Sequence, residues 1–79
     1  MSNISLYKKA FKDSLSLNSN IKVESLKYQS IDEWDSIGHM TLISNLENKF
    51  KITFETDDIV DFSSYKKGIE ILKKYKVKI

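Results

Sequence analysis

Cysteine and arginine do not occur in this chain of 79 residues, and histidine occurs once. Without cysteine there is no disulfide framework, no thiolate nucleophile and no thiolate metal ligand, so any thiol chemistry has to be imported. One histidine without cysteine also rules out a histidine/cysteine metal site, and the acids around Asp57 lack the spacing of a calcium loop. The missing arginine removes the commonest specific reader of base edges, although clustered lysines can still neutralise phosphates. No stretch of about eighteen apolar residues occurs, and no basic segment followed by an apolar run opens the chain. Neither a membrane span nor a secretory leader is therefore expected, which makes the cytoplasm the default location.

What is present has the balance of a folded protein. Hydrophobic residues make up 41% and charged residues 30%, which fits one soluble domain over residues 1–79, expected to be a monomer. A domain of this size has no room for a deep enclosed cavity. The net charge of +2 conceals a segregation. Between Asp32 and Asp61 eight acids face only Lys49 and Lys51, a local charge of −6, so the two ends together carry +8. An acidic centre of this kind steers a partner bearing a basic patch.

Apolar periodicity predicts an all-α fold. Ile4, Tyr7, Phe11 and Leu15, joined by Ala10, recur at spacings of three and four after possible caps at Ser2 and Asn3. From Ser16 to Asp35 the polar Asn18, Ser19, Asn20 and Ser30 interrupt Ile21, Val23, Leu26, Tyr28, Ile31 and Trp34 without a sustained period. That is a long structured loop, pinned by its apolar residues and with room for a short hidden helix. A second helix is expected from Asp35 or Ser36 to Lys49 or Phe50. At about 100 degrees per residue, His39, Leu42, Ile43, Leu46 and Phe50 share its inner face, Ile37 lies opposite, and Met40 sits on the flank. Phe50, Ile52 and Phe54 alternate as in a strand, but no partner strand follows, so an extended loop is expected there. Thr56 or Asp57 offers a cap for one short turn of helix carrying Ile59, Val60 and Phe62. Ser63 or Ser64 offers a cap for a last helix with Tyr65, Ile69, Leu72 and Tyr75 inward. The expectation is a four-helix bundle of three longer helices and one short one, with a long loop between helices one and two.

The segment that carries chemistry is Glu33-Trp34-Asp35-Ser36-Ile37-Gly38-His39-Met40, where an acid and a serine meet at a helix start. Free backbone N–H groups and a partial positive charge at such an end favour an attached phosphate or phosphodiester. Ser36 is the candidate attachment point. Asp35 is placed to meet a basic partner or a metal ion at the transfer site, and Gly38 leaves room for close approach. Asp35-Ser36-Ile37, followed by Leu42, Ile43, Leu46, Glu47, Phe50, Ile52 and Asp58, resembles the acyl carrier protein family over roughly residues 31–75. Ser64-Tyr65, opening the last helix, adds to the likeness.

The resemblance implies that Ser36 receives 4'-phosphopantetheine from coenzyme A through a magnesium-dependent phosphopantetheinyl transferase. The terminal thiol of that arm then holds an acyl or aminoacyl group as a thioester. It also implies a carrier rather than an enzyme, served by a loading ligase and downstream acyl-handling enzymes. Asp35, Ile37, Met40, Asp57 and Asp58 are the residues expected to face those partners. Carriers of fatty-acid synthesis are usually acidic along the second helix, whereas Thr41, Ser44, Asn45 and Asn48 line this one. Trp34 before the Asp-Ser pair and Gly38-His39 after it are more similar to stand-alone carriers working with adenylate-forming ligases in secondary or surface-polysaccharide metabolism.

Three other readings compete on the residues alone. An Asp-Ser pair usually does no more than cap a helix. Ser36 and His39, three apart, could form a hydrolytic pair, but no third group orients the imidazole and no oxyanion hole is evident. The lysines from Lys66 to Lys78 suit a protein- or nucleic-acid-binding module without a prosthetic group, or simply complement a helix C-terminus. Trp34 most simply anchors the loop to the bundle.

Overall fold

A computed structural model describes residues 2–17 and 20–79. Asn18 and Ser19, counted above among the polar residues of the long loop, lie outside the described residues. The chain forms an all-α bundle, with α1 Asn3–Leu15, α2 Ser36–Phe50, the short α3 Thr56–Asp61 and α4 Tyr65–Lys74. The long loop carries one turn of 3-10 helix, Val23–Ser25, and no strand occurs among the described residues. The radius of gyration, 11.4 Å, matches the roughly 12 Å of a folded chain of this length.

Side-chain caps start three of the helices. Ser2 accepts from the N–H of Ser5, Asp35 from that of Gly38, and Ser64 from that of Lys67. The short α3 differs from expectation, because its N-cap is Glu55 and no side chain closes its first turn. α1 and α2 end on Ser16 and Lys51 in the left-handed region, with φ of 51° and 54°. Glycine usually fills that position because it has no Cβ to clash there. Both glycines are needed elsewhere, in close packing inside helices. A Cβ on Gly68, midway along α4, would collide with the Tyr7 hydroxyl and the Phe62 ring. That hydroxyl sits there because it donates to the Tyr65 carbonyl over 2.6 Å.

The core is an aromatic cluster centred on Phe11, whose ring lies 5.0 Å from Tyr7, 5.3 Å from Trp34 and 5.4 Å from Tyr65. Leu15, Leu42, Ile43, Leu46 and Leu72 close around it. The inner stripe of α4 is rotated from the expected one, since Ile71 is buried while Ile69 is only half-buried. The segment after α2 is extended, as the missing partner strand requires, with Phe54 buried and Ile52 half-buried. Glu47 fixes it by accepting the Phe54 N–H over 2.8 Å.

The long loop is pinned by Val23, Leu26 and Trp34, all buried. Its far end is tied to the start of α4. Tyr28 N–H donates to the Ser63 carbonyl, Tyr65 N–H to the Leu26 carbonyl, and Lys27 bridges Ser64. Gln29, at φ 64°, turns the chain back so that its N–H reaches the Trp34 carbonyl. This closed turn sets Tyr28 and Trp34 side by side at the entrance to α2.

Candidate functional site

Asp35 is the N-cap of α2. Its Oδ1 accepts the Gly38 N–H over 2.8 Å, and its carbonyl accepts the His39 N–H. The N–H groups of Ser36 and Ile37 are left without a partner inside the helix, as the geometry of a helix start requires. Ser36 follows on the exposed side, and its hydroxyl oxygen lies 3.2 Å from that of Tyr28. Ile37 beside it is 79% exposed and Met40, one turn along, is 49% exposed. With Thr41 and Ser44 they line a shallow trough that starts at Ser36. Ile37 is thus exposed beside Ser36 as expected, and Met40, expected on the flank of the helix, lies open as well.

Gly38 is a correction. It is buried, and a Cβ there would collide with the Glu33 carbonyl oxygen and come within 2.9 Å of Leu15. The space beside Gly38 is thus filled by the chain's own loop and α1, and is not open to an approaching partner.

His39 is half-buried and fully engaged. Trp34 Nε1 donates to its Nδ1 over 3.0 Å, and its Nε2 lies 2.8 Å from the Ile59 carbonyl. An indole N–H only donates and a carbonyl only accepts, so both bonds require the neutral tautomer with its hydrogen on Nε2. Neither ring nitrogen is left for Ser36, so the hydrolytic pair weighed from the sequence is not assembled. Instead, His39 ties α3 to α2 through Ile59.

That tie opens a cleft of about 250 Å3 lined by Tyr28, His39, Ile59, Val60, Phe62 and Ser63. Tyr28 forms its wall and also reaches Ser36, so the cleft and the serine are neighbours. Val60, at 75% exposed, is a large apolar residue left open on the cleft. Sequence periodicity counted Val60 simply among the apolar residues of the short helix and gave Tyr28 no role beyond pinning the loop. No local pattern signals either, because both depend on how the loop and α3 fold back toward α2.

The acids divide. Asp32, Glu33 and Asp35 are exposed around the start of α2, and Asp57 and Asp61 are exposed on α3. Asp58, expected at the partner-facing surface, is instead 5% exposed. Its Oδ1 accepts from Lys74 Nζ and its Oδ2 from the Tyr75 hydroxyl, each over 2.6 Å. Asp58 therefore joins α3 to the end of α4 and is not available to a partner.

The hydrogen bonds from Lys74, and then from Tyr75, hold the Asp58 carboxyl below its usual range. An unfolded aspartate titrates near 3.9. Because the folded value lies lower, the stabilisation is complete above that pH and is lost as pH falls through the folded value. Asp58→Asn is expected to lower the melting temperature at pH 7, with a smaller gap to the parent in acid below the unfolded value of about 3.9. Thermal melts of both proteins under the two conditions check this.

Lys49, Lys51, Lys76 and Lys78 line a separate cleft where α2 and α4 end. Their charges there complement two helix C-termini. Among the described residues no group of acids and histidine is placed to hold a metal ion, and no helix is long and apolar enough to cross a membrane. No protein-family model matches the chain, and neither a curated protein nor a solved structure matches it.

Proposed function

We propose that this protein is a carrier whose Ser36 bears a 4'-phosphopantetheine arm, transferred from coenzyme A by a phosphopantetheinyl transferase with magnesium. The observation that carries the reading is the position of Ser36. Its hydroxyl is exposed at the start of a fifteen-residue helix, after an Asp N-cap and beside an exposed isoleucine. The free N–H groups and partial positive charge of that end suit a phosphodiester on the serine. Once attached, the arm supplies a thiol on which an acyl or aminoacyl group is held as a thioester. The chain's own residues present the serine, cap the helix beneath it and offer the neighbouring cleft as an apolar surface for arm or cargo.

Ile37 and Met40 give the transferase, the loading ligase and later acyl-handling enzymes an apolar patch next to the serine. Asp35 and Asp57 add charges that attract a basic partner surface. The polar side chains of Thr41, Ser44 and Asn48 along the same helix favour a specialised stand-alone carrier over a housekeeping one, in the cytoplasm where coenzyme A is at hand.

The absence of cysteine makes a direct test simple. The unmodified protein contains no thiol. After incubation with coenzyme A, magnesium and a broad-specificity transferase, then removal of free coenzyme A, a thiol reagent should titrate one thiol per chain. No thiol, with an active transferase control and a folded protein, would contradict the proposal.

A further inference from the structure

We infer that Tyr28 is a positioning residue for Ser36, an inference that rests on the reading of Ser36 as the attachment point. Among the described residues, the hydroxyl of Tyr28 is the side-chain group within hydrogen-bond distance of Ser36 Oγ, at 3.2 Å. A phenol is a more acidic O–H donor than an alcohol, so the favoured arrangement has Tyr28 donating and Ser36 accepting. This fixes Oγ while leaving the serine proton free.

Tyr28 can hold the oxygen because it is itself held. Its ring meets Trp34 edge-on at a centroid distance of 6.3 Å and His39 at 5.3 Å. Trp34 is 0% exposed, and Trp34 and His39 are locked to each other by their own hydrogen bond. From the backbone side, Tyr28 is anchored to Ser63. An exposed serine on a helix start otherwise turns among three staggered rotamers. Here one of them keeps Oγ on a phenol set in a rigid aromatic corner.

The consequence falls on the transfer step. Ser36 Oγ attacks the phosphorus that carries the pantetheine arm in coenzyme A. The Oγ–P bond forms, the pyrophosphate P–O bond breaks, adenosine 3',5'-bisphosphate leaves, and the serine proton passes to a base on the transferase. A donor already on Oγ orients its remaining lone pair without taking part in that proton transfer. After transfer Oγ is an ester oxygen with no proton, and the same phenol still donates to the phosphodiester. Tyr28 thus holds the root of the arm at the edge of the cleft it lines.

The test is Tyr28→Phe, which keeps the ring wall and removes only the hydroxyl. One hydrogen bond of ordinary net strength corresponds to a loss of about 2- to 10-fold in the rate of modification. The loss is expected in kcat, with KM for this protein little changed, because the apolar docking patch is intact. The melting temperature should stay within a few degrees of the parent. A second readout is the 31P resonance of the modified protein, expected to shift and narrow in the variant as the phosphodiester loses its donor and gains motion.

Equal rates and an unchanged 31P resonance, with the parent fully modified, would overturn the role of Tyr28 and leave the attachment site standing. A parent that gains no thiol would instead remove the attachment reading itself, and this inference with it. A rate loss accompanied by a collapse in melting temperature and an unchanged 31P resonance would mark Tyr28 as merely structural.

Discussion

Ser36→Ala is expected to remove all modification by coenzyme A and transferase while leaving the fold and its melting temperature almost unchanged. The first half follows from chemistry, since alanine offers no oxygen to bond to phosphorus. The second half follows from the structure. The cap of α2 is supplied by Asp35, whose Oδ1 takes the Gly38 N–H, and not by Ser36. Ser36 is exposed, and its hydrogen-bond partner Tyr28 is itself 37% exposed and open to water. Loss of the hydroxyl should therefore cost no more than about 0.5 kcal/mol, the range of an ordinary surface substitution. Circular dichroism and a thermal melt check the fold, and the thiol titration checks the function. An unfolded variant would show that Ser36 is a structural residue and that the site has been misplaced.

The largest effect on stability is expected at Trp34. Its side chain is 0% exposed and meets Phe11, Tyr28, His39 and Phe62. Trp34→Ala opens a cavity at the joint between the long loop and the bundle, a change that costs about 3–5 kcal/mol. A domain of this size has only about 4–12 kcal/mol in total. The variant should thus unfold at a much lower urea concentration than the parent, or fail to fold at 37 °C. Trp34→Phe separates the two contributions, because it keeps a ring and removes the indole donor. It leaves His39 Nδ1 without its bond, at a smaller cost of about 1–3 kcal/mol. A loss of under about 1 kcal/mol in Trp34→Ala would mean that the loop is not anchored there.

The helices and the placement of the serine were legible in the sequence because each rests on a local pattern. Spacings of three and four put Tyr7, Ala10, Phe11 and Leu15 on one face of α1, and Leu42, Ile43 and Leu46 on one face of α2. Ser2, Asp35 and Ser64 announced three helix starts through the chemistry of their side chains. The helix ends were harder to place, since Ser16 and Lys51 occupy left-handed positions where glycine is the usual signal. The cap of α3 was expected at Thr56 or Asp57 and lies at Glu55, which makes no capping side-chain bond for its type to announce.

What stayed hidden depends on contacts distant in the chain. Asp58 looked like its neighbour Asp57, and only the return of Lys74 and Tyr75 buries one and leaves the other open. Gly38 and Gly68 gave no hint of which neighbour they admit, the loop carbonyl of Glu33 in one case and the ring of Phe62 in the other. Tyr28 is eight residues from Ser36 along an irregular segment, and no periodicity links them. The aromatic corner that holds it forms only when the loop, α2 and the start of α4 meet.

The most direct measurement is the intact mass of the parent and of Ser36→Ala after incubation with coenzyme A, magnesium and a broad-specificity phosphopantetheinyl transferase. The account predicts one phosphopantetheine increment on the parent and none on the variant. An unmodified parent beside a modified control carrier, or an increment on both proteins, would contradict it.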